Sequence, residues 1–147
     1  MTYRAGQILP LYAYSNEYSS NKNLGGDAHV TSPYSFGYVV FPADLAATDV
    51  IHFRGGFNNS GNDWDLKLWF CPQDGTGSVY QTETFQVPTA DYADYPVVEG
   101  RVTPNADFIT SAAAGNPCFL YMGAAQTASA ATGYSVHGFT MWLERRL

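Results

Sequence analysis

An all-β fold is what this sequence predicts: an antiparallel β-sandwich, jelly-roll-like, with about eight strands. Three observations carry the prediction. Large apolar side chains recur at every second position in run after run, which is the period of a half-buried strand and not the 3.6 of a helix. Clusters of Gly, Asn, Asp, Ser and Pro break these runs at short intervals. No stretch carries a helical stripe of useful length.

In chain order, "QILPLYAYS" is apolar and aromatic enough for a first strand, and residues 1–20 read as an extended N-terminal arm or first strand. Residues 21–147 then form the sandwich domain. "SNKNLGGD" is a turn. "YSFGYVVF" places Tyr34, Phe36, Tyr38 and Val40 on one face. "PADLAATD" is either a single helical turn opened by Pro42 or an ordinary polar crossover. "DVIHFRGGF" is a β-branched and aromatic run of strand length, and "FNNSGND" after it reads as a hairpin turn. "WDLKLWFC" gives the clearest alternation: Trp64, Leu66, Leu68 and Phe70 on one face, Asp65 and Lys67 on the other, with Trp69 and Cys71 making the second face partly apolar. "PQDGTG" turns into the strand "SVYQTETFQV"; "TADYADYP", "TPNAD" and "AAGNP" are further turn signals, and "SAAAGN" reads as a loop or strand end. "PCFLYM", apolar on both faces, suits a central strand. In "YSVHGFTMWLERR", Phe139, Met141 and Leu143 face away from Thr140 and Trp142, with a bulge expected at Gly138.

At 147 residues the chain has the size of one domain, since single cores commonly span roughly 100–150 residues. A composition of 46% hydrophobic, 16% aromatic and 14% charged residues excludes a disordered chain. Seven Lys and Arg stand against thirteen Asp and Glu, a net charge of −6, which argues against nucleic acid as a partner because phosphate binding needs a clustered positive surface. No window approaches the roughly 18–20 apolar residues of a membrane helix, and "MTYRAGQILPLYAYSN" lacks the apolar core of a signal peptide, so no membrane partner and a cytoplasmic origin are expected. Cys71 and Cys118 sit in apolar runs and read as buried free thiols.

The sequence offers little catalytic chemistry. His29, His52 and His137 are scattered and show no metal-ligand spacing. No Ser lies in a nucleophile elbow, and "LGGD" and "RGGF" lack the remaining glycines and the Lys of phosphate loops. Asp63 with Asp65, and Asp91 with Asp94, are the nearest approach to a carboxylate pair, and nothing marks them as buried or perturbed. Asn58, Ser60, Asn62, Asp63 and Asp65 carry the hard oxygen ligands that calcium prefers, but not at the spacing of a known calcium loop; the same residues are what a tight turn demands. The expectation is therefore a protein that is not an enzyme and holds no cofactor or metal.

What stands out is the stock of rings: eleven Tyr, nine Phe and three Trp. Tyr12, Tyr14, Tyr18, Tyr92 and Tyr95 lie in polar surroundings, as tyrosines at interfaces do. The segment "YVVFPADLAATDVIHFRGGFNNSGNDWDLKLWF" resembles a pattern of small structural proteins of tailed bacteriophages, an apolar strand ending in Pro, a short acidic turn and two long strands; "GFTMWLERR" is similar to their last strand. The resemblance implies a jelly-roll-like sandwich that decorates a capsid as a cement protein or belongs to a tail appendage, often as a trimer. The expected setting is a virion assembled in the host cytoplasm, and the expected partners are further copies of the chain and the major capsid or another virion protein. In that reading Tyr12, Tyr14 and Tyr18 lie on a contact arm, and Arg145 and Arg146 pair with an acidic neighbouring subunit. The alternative is a carbohydrate-binding or receptor-binding module of a phage appendage, which uses exposed Tyr and Trp faces with the Asn58 to Asp65 loop as a polar clamp.

Overall fold

A computed structural model of the chain describes residues 6–15, 22–23, 34–58, 64–72, 79–87, 97–125 and 135–146. Within them run β1 (Ile8–Ser15), β2 (Lys22–Asn23), β3 (Tyr34–Val39), β4 (Val50–Asn58), β5 (Trp64–Cys71), β6 (Gln81–Val87), β7 (Val97–Val102), α1 (Ala106–Ala113), β8 (Cys118–Ala125) and β9 (Ser135–Glu144).

The strand pairs are nested. β1 pairs with β9, β3 with β8, β4 with β7 and β5 with β6, all antiparallel, so the chain is one long hairpin rolled up with its first strand against its last. Successive pairs fall alternately into two sheets, which β4·β9 and β5·β8 complete in the orders β1-β9-β4-β7 and β3-β8-β5-β6. β2 is a two-residue addition to β9 beyond the end of β1. Eight long strands in this order form an antiparallel sandwich of the jelly-roll kind that the alternation predicts.

Between the sheets lies one apolar core. The period-two reading of β5 holds: Leu66, Leu68 and Phe70 are fully buried in that core, while Trp69 and Cys71 join Tyr121 in a second cluster on the outer side of their sheet. In β9, Phe139, Met141 and Leu143 point inward as expected. The bulge beside Gly138 is present: Gly56 faces Gly138 but Phe57 faces Val136, so His137 is the extra residue and Val136 and Phe139 both reach the core.

Two local readings are corrected, at β3 and after Asn58, and the one left open at "PADLAATD" is decided in favour of the crossover. In β3 the register slips between Ser35 and Tyr38, and Gly37, at φ +93°, makes the slip possible. Phe36 and Val39 therefore face the core, and Tyr38 and Val40 turn outward. "PADLAATD" holds no helix; it makes two turns, closed by Leu45 N–H to Pro42 O at 3.0 Å and Asp49 N–H to Ala46 O at 3.0 Å. The segment after Asn58 joins no hairpin, because β4 and β5 lie in different sheets; residues 59–63 fall outside the described residues.

Two elements escaped the sequence reading. β7 alternates in burial, with Val98, Gly100 and Val102 inward and Glu99 and Arg101 outward. Its pattern is blunted by Gly100, where an added Cβ would lie 2.4 Å from a ring carbon of Phe85. α1 is bracketed by residues that also signal turns. The Asn105 side chain accepts from Phe108 N–H at 2.9 Å, and Gly115, at φ +76°, donates to Ala112 O at 3.0 Å. The helix buries Phe108, whose ring meets Phe41, Phe70 and Tyr80. Asn105 also donates to the Tyr80 carbonyl at 2.6 Å, which ties the cap to the start of β6. Asn105→Ala should destabilise the fold by about 1 kcal/mol and lower the melting temperature by about 2–4 °C in a domain of this size, as thermal unfolding followed by circular dichroism would record.

Candidate functional site

The residues marked by the sequence as contact candidates fall in different places. Tyr12 stacks on Phe139 at 5.3 Å and donates its hydroxyl to the Phe36 carbonyl; Tyr14 meets Phe36 edge-on at 5.2 Å and Phe139 at 5.8 Å. Both are half-buried and stitch β1 to β3 along one side of the sandwich. Tyr18 lies outside the described residues, as do Tyr92 and Tyr95. Of the polar clamp, residues 59–63 and the side chains of Asn58 and Trp64 are likewise outside them.

Alternation beyond β9 sends Arg145 inward and Arg146 outward. Arg145 is 3% exposed: its Nη2 lies 2.9 Å from Asp44 Oδ1 and donates to the Asp44 carbonyl at 3.1 Å, and its Nε lies 3.5 Å from Oδ2 of the wholly buried Asp49. The guanidinium holds the Asp44 carboxyl below the usual carboxylate range. Arg146 forks onto Glu144 from the outer surface, Nε to Oε1 at 2.8 Å and Nη2 to Oε2 at 3.1 Å. His52 Nε2 reaches the same carboxylate at 2.6 Å. Both arginines thus meet carboxylates of their own chain.

Hydrogen bonds from Arg146 first and His52 second hold the Glu144 carboxyl at a pKa of about 2. Its folded value lies below the unfolded value of about 4.3, so its contribution to stability is present above about pH 4.3 and fades as pH falls towards 2. The urea midpoint should drop between pH 7 and pH 3, and Glu144→Gln should shrink that drop; an identical drop in the variant would show that other carboxylates cause it.

The outer face of the β1-β9-β4-β7 sheet carries most of the exposed chemistry. Strand pairing sets Trp142 of β9, His52 of β4 and Arg101 of β7 side by side, and two residues further along β4 sets Arg54 opposite Glu99. The Trp142 and His52 rings stack in parallel, 5.1 Å between centroids and 3° between planes. Arg54 Nε meets Glu99 Oε1 at 3.0 Å. Pockets that hold small ligands measure roughly 300–1,000 Å³; the furrow between these two rows measures about 530 Å³, floored by the backbone of Phe53 and Gly100. A second hollow of about 330 Å³ continues from it past Arg54, over Gly56 and Gly138 to Val97 and Tyr14. The sequence showed His52 only as a histidine without metal-ligand spacing and did not mark Trp142, Arg54 or Arg101 as site residues, because their convergence depends on β7 and on the register of three strands.

A different surface lies at the sandwich edges. Ile8, Tyr38, Val40 and Val97 are the large apolar side chains most exposed among the described residues, each between 55% and 60%. Ile8 belongs to β1, Tyr38 to β3 and Val97 to β7, which are all edge strands, and Val40 directly follows β3. Gly6 N–H donates to Arg145 O at 2.7 Å while Arg145 holds Asp44, which brings the chain just before Ile8 to the end of the sandwich where Val40 leads into residues 42–49.

The cysteines offer no reactive site. Cys71 and Cys118 are free and buried, and loss of water raises both thiols, Cys71 to about 12. Among the described residues no three His, Cys, Asp or Glu side chains group as metal ligands would. Comparison with known proteins finds no family model, no curated protein and no solved structure that matches this chain.

Proposed function

We propose that this chain is a non-enzymatic structural protein of a virion, a capsid decoration (cement) protein that stabilises the shell by protein–protein contact. It works as a homo-oligomer, a trimer, seated on the major capsid or another virion protein. The observation that carries the reading is the placement of Ile8, Tyr38, Val40 and Val97: the exposed large apolar side chains of the described residues sit on edge strands or, for Val40, directly after one. An edge strand presents unpaired backbone groups, and apolar side chains beside them favour association with another chain over a free surface. The jelly-roll-like sandwich supports the reading by association, since capsid domains use this architecture, although lectins use it too.

Light scattering on the purified chain should give three times its 16.1 kDa mass. Val40→Asp with Tyr38→Asp should reduce it to the monomer without changing the circular dichroism spectrum. Peptides of the chain should also sediment with intact particles through a density gradient. A monomeric wild type whose peptides stay out of the particle fraction would overturn the proposal.

A further inference from the structure

The furrow on the outer face of β9-β4-β7 has chemistry that edge contacts do not use, and its charge is unlike that of the chain. The protein carries a net charge of −6, yet Arg54, Arg101 and Arg146 share this face with the carboxylates of Glu99 and Glu144. Arg54 is tied to Glu99, and Arg146 to Glu144 with His52 behind it. Arg101, exposed and at the mouth of the furrow, pairs with no carboxylate among the described residues. One guanidinium fork is thus left to meet an anion from outside, and such a fork suits a carboxylate in two-point contact.

The rest of the furrow narrows the choice of ligand. Its wall is formed by the stacked rings of Trp142 and His52, against which a sugar ring can pack. Its continuation is bare backbone: Gly56 and Gly138 lie opposite one another on adjoining strands, and a Cβ added at Gly56 would meet nothing within 4 Å. From His52 to Gly56 the furrow runs about 13 Å, at roughly 3.3 Å per residue, long enough for more than one sugar ring. Glu99 offers acceptor oxygens along the way. A sugar hydroxyl can donate to it, whereas the side chains of an acidic peptide bring carboxylates alone and have no hydroxyl to donate.

The geometry points to a binding site for a carboxylated oligosaccharide, a chain of uronic acid units, with one sugar carboxylate on Arg101, a ring against Trp142 and hydroxyls on Glu99. The furrow itself shares no residue with the edge contacts, which meet only the far end of its continuation at Val97, and the site stands whether or not the chain belongs to a virion.

The test is calorimetric titration of the full chain with tetragalacturonate, with maltotetraose as the neutral counterpart and hexaglutamate as the acidic peptide. The expected result is saturable binding of tetragalacturonate, weakened at least tenfold by Arg101→Gln at an unchanged melting temperature and partly restored by Arg101→Lys. Maltotetraose and hexaglutamate should bind at least tenfold more weakly than tetragalacturonate. Absence of tetragalacturonate binding at millimolar concentration, equal binding by Arg101→Gln, or equal binding of either comparison ligand would each overturn the assignment.

Discussion

Phe53→Ala should lower the stability of the sandwich by about 3–5 kcal/mol, the range for removing a buried phenylalanine ring. In a domain of this size that is a fall in melting temperature of about 6–20 °C. Phe53 is 1% exposed on β4, which is flanked by β9 and β7, and its ring meets Phe57, Phe85 and Phe139 at centroid distances of 6.1, 6.0 and 5.5 Å. The void left by alanine cannot close easily. Phe85 rests against the bare backbone of Gly100, and Gly55, next but one to Phe53, is boxed in by Phe57, Phe139 and the Gly138 carbonyl, all within 3.1 Å of an added Cβ. Neighbours fixed in this way relax little, and the penalty grows with the volume they fail to fill. Phe53→Leu should cost less, because it restores part of that volume, and Tyr38→Ala at the exposed edge should change stability by no more than about 0.5 kcal/mol. A Phe53→Ala protein that melts within 2 °C of the parent would mean that this ring does not hold the two sheets together.

The same aromatic residues explain how much of the structure the sequence made legible. Where large apolar residues recur at every second position of a strand, as in β5 and β9, period two appears directly in the residues, and the inward sets Leu66, Leu68, Phe70 and Phe139, Met141, Leu143 could be named from the alternation alone. Where a bulge intervenes, alternation misleads by one residue: Tyr38 and Val40 read as partners of Phe36 but point the other way once Gly37 shifts the register. β7 was hidden because its central inward residue is Gly100, which keeps the strand pattern in space but not in hydrophobicity. α1 was hidden because Asn105 and Gly115 serve as helix caps with the same chemistry that makes them turn formers. The furrow was the least legible of all. Trp142, His52, Arg54 and Arg101 come from three strands far apart in sequence, and only the registers of β4 with β9 and β7 bring them together. Arg145 and Arg146 were visible as a basic pair, but their opposite fates follow from strand parity at the end of β9, which sets one inside and one outside.

That parity leads to the second large effect. Arg145→Ala should destabilise the chain by about 3–5 kcal/mol, because removing one member of a buried ion pair strands the other. Asp49 is the member left behind: it is wholly buried, and besides Arg145 it accepts from Ala46 N–H at 3.0 Å and Arg146 N–H at 3.1 Å. Its carboxylate organises the turns over residues 42–49 and the exit from β9, while the Arg145 backbone bonds Gly6 N–H at 2.7 Å and Gln7 O at 2.8 Å. One ion pair thus joins three segments that are remote in sequence. Asp49→Ala should be similarly severe, since the guanidinium would retain only Asp44, which is 42% exposed and screened by water. Asp49→Asn keeps acceptance by one oxygen and should cost less than Asp49→Ala. In a double-mutant cycle, Arg145→Met with Asp49→Asn should lose less than the sum of the single changes, because neither charge then remains buried alone. The cycle also separates an internal role for Arg145 from a role at a subunit contact. If Arg145→Ala leaves the melting temperature of the isolated chain unchanged but abolishes its assembly, Arg145 acts between molecules; if the isolated chain itself loses stability by the amount expected, the pairing within the chain is what fixes this end of the sandwich.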